Sequence, residues 1–259
     1  MQTLESGVDE KVEARQFLLA MENYLAATLP ARNAVRATVD EEVQKARAAK
    51  QKAPDKSRSY IASPEGAFFK LLGVEYIYNF LTKGTGMPEE EARMALLSET
   101  FRNCRNISSN SPRSKEKHPF TKNGESIKKI VTRWWNPSEK SVVQQSCPDL
   151  ALGPPCRHRI VIEGKYFRKG GFEAAQSELV KDIYQCFFYR GLPFVAKSAT
   201  HPSWEYDYAC LLAYDASDAG NLSLAWKQLD KRVVDGLWQG ANIHVMVIRS
   251  RDSHGSISG

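Results

Sequence analysis

Asp149 follows Pro148, thirteen residues separate it from Glu163, and Glu163 is followed by Gly164 and Lys165. Side chains alternate along a strand, so a strand through this second group points Glu163 and Lys165 to the same face. With Asp149 on the neighbouring strand or turn, its carboxylate can meet theirs. Two carboxylates and a lysine on one side of a sheet form an oxygen-rich site for a hard divalent cation, with an ammonium beside it. Such a set suits phosphodiester hydrolysis. The metal polarises the phosphate and activates a water, while the lysine orients that water or stabilises developing negative charge.

A second feature lies further along, in Gln185-Cys186-Phe187-Phe188-Tyr189. On a helix, positions i and i+4 share a face, so Gln185 and Tyr189 present together. Without further context the same stretch describes an ordinary helix, with Ile183, Phe187 and Phe188 packed on a sheet and Tyr189 in the last turn.

Pro148-Asp149 with Glu163-Gly164-Lys165 resembles the signature of the PD-(D/E)XK nuclease superfamily, whose fold many restriction endonucleases and DNA-repair nucleases share. Gln185 to Tyr189 is similar to the Gln-hydrophobic-x-x-Tyr motif of its RecB-like and lambda-exonuclease-like branch. The resemblance covers about residues 140 to 250. It implies a restriction-endonuclease-like core, α/β, with a mixed central sheet flanked by helices. It also implies that Asp149 and Glu163 bind Mg2+, or Mn2+, with the Gly164 carbonyl oxygen as an extra ligand and Lys165 assisting the attacking water. Gln185 and Tyr189 would support the site or contact DNA. Members often add an acid from an upstream helix as a metal ligand, and Glu65, Glu75, Glu99 and Glu125 are the candidates, Glu65 being preferred. Some RecB-like relatives carry an iron-sulfur cluster on four cysteines; the spacing here does not match, and none is expected.

The expected activity is that of a metal-dependent DNA nuclease, with a type II-like restriction endonuclease first. A repair or recombination nuclease of the RecB-like type, or a non-catalytic DNA-binding protein keeping the fold, are the alternatives. A homodimer is expected for cutting both strands of a palindromic site, although no dimer motif is visible.

The charge distribution agrees with a polyanionic partner. The 259-residue chain has a net charge of +6 and a pI near 9.0. Lys45, Arg47, Lys50, Lys52, Lys56 and Arg58 surround a single acid, Asp55. Arg102, Arg105, Arg113, Lys115, Lys117, Lys122, Lys128, Lys129 and Arg133 stand against Glu116 and Glu125. The two blocks together exceed the surplus of the whole chain, which is the footprint of phosphate neutralisation; a solvated helix face and a loop are the alternative. Lys115, Lys117 and Lys122 are candidate clamps on the nucleic-acid backbone. Arg157 and Arg159 flank His158 as a basic edge near it.

Other chemistries find little support. Cys104, Cys147, Cys156, Cys186 and Cys210 are an odd number without a CxxC pair, read as reduced thiols. Cys147, Cys156 and His158 fit no structural-zinc spacing, and Gly170-Gly171 lacks the lysine and serine of a phosphate loop. No apolar run approaches the ~20 residues of a membrane span and no secretory leader is visible, so a cytoplasmic protein is expected.

The elements that must position these residues fall into two halves. Residues 1–136 read as a mainly helical region, residues 137–250 as the nuclease core and residues 251–259 as a flexible tail. Helices are predicted at 9–29, ended by Pro30, at 31–50, from Ser63 until Gly84 and Gly86 end it, and from Pro88 to Asn103. A long loop follows at 106–124, and a helix at 125–135 carries Trp134 and Trp135, which are expected to pack in the core. In the second half, strands are predicted at 142–145, 149–152, 158–167, 206–214 and 243–249, with helices at 172–189 and 223–238.

Overall fold

The computed structural model describes residues 2–52, 63–69, 73–98, 149–190, 193–194 and 204–251. Apolar residues at helical spacing build its first layer. α1 (Gln2–Thr28) buries Leu18, Met21 and Leu25, and α2 (Arg32–Lys52) buries Val35, Val39 and Val43. α3 (Pro64–Phe68) starts where the Ser63 hydroxyl accepts the Gly66 N–H at 3.0 Å, with Pro64 pre-set in the first turn. α4 (Val74–Asn79) follows, and a π-helical turn at Phe80–Gly84 carries the helix to the Gly84 expected to end it.

α5 (Glu89–Ala95) ends short of the predicted Asn103. Leu96–Ser98 instead becomes strand β1, paired antiparallel with β2 (Leu150–Leu152). A long-range pairing here outweighs the local helical tendency of an Ala-Leu-Leu run. β2 pairs antiparallel with β3 (Ile160–Phe167). α6 (Phe172–Arg190) then crosses over to β6 (Tyr208–Asp215), which lies parallel to β3, while β4 (Pro193–Phe194) and β5 (Trp204–Glu205) form a separate two-stranded ladder.

The predicted helix at 223–238 is two helices, α7 (Asn221–Lys227) and α8 (Lys231–Ala241). Asp230 divides them, because its carboxylate accepts the Arg232 N–H at 2.8 Å and caps α8. Asn242, at φ 56°, closes α8 in the left-handed conformation that Asn tolerates, and β7 (Ile243–Ile248) follows parallel to β6.

The result is an α/β fold with a mixed five-stranded sheet in the order β1-β2-β3-β6-β7. Alternation along the strands sends Ile160, Ile162, Tyr166, Tyr208, Leu212 and Tyr214 toward the N-terminal helices, into one core with Leu18, Leu25 and Phe68. Val161, Phe167, Ala209, Leu211 and Val245 face the other way and meet Leu179, Ile183 and Cys186 of α6 with Leu222 and Leu237. The N-terminal helices therefore cover one face of the sheet, and Leu96–Ser98 adds a strand to it. Among the described residues no helix is long and apolar enough to cross a membrane.

Candidate active site

The register of β2 and β3 decides where the two carboxylates go. Leu150 opposes Ile162 in the last antiparallel pair, and the bend just before Leu150 brings its residue near the one after Ile162. Those residues are Asp149 and Glu163, and the Asp149 charge acts on the Glu163 carboxyl. Asp149 is fixed there by its Oδ2, which accepts the Gly164 N–H at 2.9 Å. The N–H and C=O of one strand residue point to the same edge, so the Gly164 carbonyl oxygen is directed to the edge where Asp149 sits.

Gly164 is required by packing. A Cβ at this position would lie 2.1 Å from two ring carbons of Phe69. The Phe69 ring lies against the strand, which seats the end of α3 on β3. Glu65, one turn earlier on the same side of that helix, thereby comes within 3.5 Å of Lys165 Nζ.

Lys165 is where three elements meet. Its ammonium lies 2.8 Å from Glu178 Oε2 and 3.5 Å from Asp182 Oδ1, both on α6, and 3.5 Å from Glu65 Oε2 on α3. Burial disfavours its charge, but the Glu178 hydrogen bond and the Glu65 and Asp182 carboxylates outweigh that and hold its pKa above the ordinary lysine value. The same hydrogen bond holds Glu178 below the usual carboxylate range. Asp182, only 2% exposed, is pushed up to about 6 by its burial, against the pull of Lys165.

Glu163 is the least satisfied group of the set. It is 8% exposed and its Oε2 is buried without a hydrogen-bond partner. Burial first, and then the charges of Asp149, Glu65 and Asp182, raise its carboxyl well above the ordinary value, with Lys165 opposing. Negative charge is in excess in a dry place, and a divalent cation would relieve it. Among the described residues no three His, Cys, Asp or Glu side chains converge closely enough to hold a metal by themselves. The groups that could hold one are Asp149, Glu163 and the Gly164 carbonyl, with waters completing its coordination. That is a coordination Mg2+ accepts, since it binds through one or two carboxylates and keeps its waters.

Of the upstream acids, Glu65 is thus at the site, paired with Lys165, whereas Glu75 lies on α4 beside Tyr76. Glu99, Glu125, Lys115, Lys117, Lys122, Cys104, Cys147, Trp134, Trp135 and the strand at 142–145 lie outside the described residues. On α6, Tyr189 is 3% exposed and packs in the core, and Gln185 is half-buried beside it. Ile183 packs on the sheet as an ordinary helix would have it, but Phe187 is 45% exposed and Tyr184 69%. Asp182 was not foreseen, since an acid in mid-helix reads as solvated surface. The signal was the spacing: Glu178 and Asp182 stand four apart, on the turns just before Gln185.

The basic edge is already engaged. Arg157 lies 2.5 Å from Glu13, and Arg159 forms a two-pronged fork on Asp207 at 2.7 and 2.6 Å. Arg159 is also four residues up the strand from Glu163, roughly 13 Å at strand rise. His158 is buried between Phe17 and Tyr208, and that burial lowers its pKa. Cys156, Cys186 and Cys210 are free and buried, and burial raises all three thiols. Compared with protein-family models, curated proteins and solved structures, the chain gives no match.

Proposed function

We propose that this chain is a metal-dependent nuclease that hydrolyses phosphodiester bonds in DNA, built on a restriction-endonuclease-like core. The observation that carries the reading is the approach of Asp149 to Glu163 at the end of the β2–β3 ladder, with Glu163 Oε2 buried and unpartnered and Lys165 two residues along. An excess of desolvated carboxylate on the central strand of a sheet is costly unless a cation takes it up.

Asp149, Glu163 and the Gly164 carbonyl oxygen would hold Mg2+, or Mn2+ in its place. When bound, that ion supplies Lewis acidity toward a phosphate oxygen. Lys165 carries its proton throughout, because Glu178, Asp182 and Glu65 surround it, so it donates hydrogen bonds and does not act as a base. Its role is to orient the attacking water and to offset the negative charge that builds on the phosphorane-like transition state.

Within this class a type II-like restriction endonuclease is the first reading. The helix with Gln185 and Tyr189 also brings Glu178 and Asp182 to Lys165, which favours a RecB-like repair or recombination nuclease as the second. Cleavage of supercoiled and linear DNA by wild type and Lys165→Ala, in Mg2+ and in EDTA, separates them. Discrete Mg2+-dependent bands, lost in the variant, support the first; degradation from ends supports the second. DNA binding in EDTA without cleavage in Mg2+ or Mn2+ would leave a non-catalytic DNA-binding protein.

A further inference from the structure

Lysine has a flexible four-carbon stem and three N–H donors, so a lysine projecting from a strand does not by itself fix where its charge sits. Here three carboxylates surround it. Glu178 and Asp182 stand one helical turn apart on α6 and approach Nζ at 2.8 and 3.5 Å, with Glu65 at 3.5 Å from α3.

Asp182 is difficult to explain as a structural residue. Its side chain is 3% exposed, its ion-pair partner is Lys165, and it neither caps a helix nor joins two strands. Burying a carboxylate against an ammonium commonly costs stability that an uncharged residue of the same shape would not. A neighbour on the same helix, Leu179, shows that the core at this point accepts an apolar side chain.

We propose that Asp182 and Glu178 are positioning residues, which hold the Lys165 ammonium beside the Asp149–Glu163 pair and act on the reaction only through it. This rests on the nuclease reading above. Glu178 supplies the short hydrogen bond; Asp182, from the dry side, keeps the ammonium from withdrawing along α6 into solvent. α6 thus sets the position of the lysine, and β3 the positions of the acids.

The test is steady-state cleavage of plasmid DNA in Mg2+ by wild type, Asp182→Asn, Glu178→Gln, Lys165→Ala and the Lys165→Ala/Asp182→Asn double variant, with thermal unfolding of each. The expected result is a fall in kcat of about ten- to a hundredfold for Asp182→Asn and Glu178→Gln, the scale seen when a supporting partner of a site residue is lost. KM stays within about twofold, because the interaction is made in the transition state. Asp182→Asn unfolds no lower than wild type, and the double variant is no slower than Lys165→Ala, because coupled residues are not additive.

Full-rate cleavage by both single variants of an active enzyme would overturn this proposal alone. So would losses that multiply in the double variant, or a rise in KM at unchanged kcat. A fall in Tm of more than about 5 °C for Asp182→Asn would make it a structural residue; Glu178, partly exposed, then decides through its own kcat. No cleavage by wild type in Mg2+ or Mn2+ would overturn the nuclease reading and this one with it.

Discussion

Glu163 and Asp215 stand on adjacent parallel strands, both buried, and are treated in opposite ways. Asp215 is 0% exposed and fully engaged: one carboxylate oxygen accepts the Ser217 N–H and hydroxyl at 3.0 and 2.5 Å, the other the Ser223 N–H at 2.9 Å, and Arg249 stands 3.7 Å away. It ties the end of β6 to the start of α7. Glu163, one strand over, has Oε2 without a partner and three other acids acting on it. A buried carboxylate with a full set of donors is accounted for by the fold; one left short of them calls for another explanation.

The largest expected effect separates the two by activity. Glu163→Gln should lower Mg2+-dependent cleavage by about a thousandfold, on the scale of removing a principal electrostatic group from a site. Asp215→Asn should keep kcat within a few-fold once corrected for folded protein. Equal losses in the two variants would end the distinction. Denaturant unfolding should then show the reverse order: Asp215→Ala costs about 3 kcal/mol, from lost charge-assisted hydrogen bonds and stranded Ser217 and Ser223 donors. Glu163→Gln should be neutral or stabilising near neutral pH.

A smaller effect follows from cation binding. On the proposed site, Mg2+ at about ten times its dissociation constant should stabilise the folded chain by about 1.4 kcal/mol, a rise in Tm of a few degrees. Glu163→Gln should abolish that rise, and Asp215→Asn should keep it. The smallest effect concerns pH. Asp182 has its carboxyl raised from 3.8 to about 6 in the folded chain. The folded state then keeps a proton that the unfolded state releases, so stability falls as pH rises from about 4 to about 6. Tm measured across that window should fall less steeply in Asp182→Asn; an unchanged slope would show that Asp182 does not titrate there.

Much of this site could be read from the chain. Strand alternation placed Glu163 and Lys165 on one face, and the cap at Ser63 with Pro64 put Glu65 at a helix start. What was not legible depended on partners distant in sequence. Leu96–Ser98 has helical neighbours and becomes a strand only because Leu150–Leu152 is there to pair with it. The interior of α6 conceals Asp182, whose burial is set by packing on the sheet, not by its local sequence. Asp230 falls inside the helix predicted at 223–238, yet its carboxylate satisfies the first turn of α8. Arg157 and Arg159 were read by charge alone, and their acids, Glu13 and Asp207, come from elsewhere in the fold.

α1 lies against β7, and Glu22 on α1 meets His244 on β7 at 3.3 Å across 222 residues of chain. A ribosome adding 5–20 residues per second needs roughly 10 to 45 s to make that much polypeptide. For that interval Leu18, Met21 and Leu25 have been synthesised but the strand beneath them has not. Until β7 is made, α1 has only its helical neighbours to pack on, such as Phe80 against Phe17 and Tyr24.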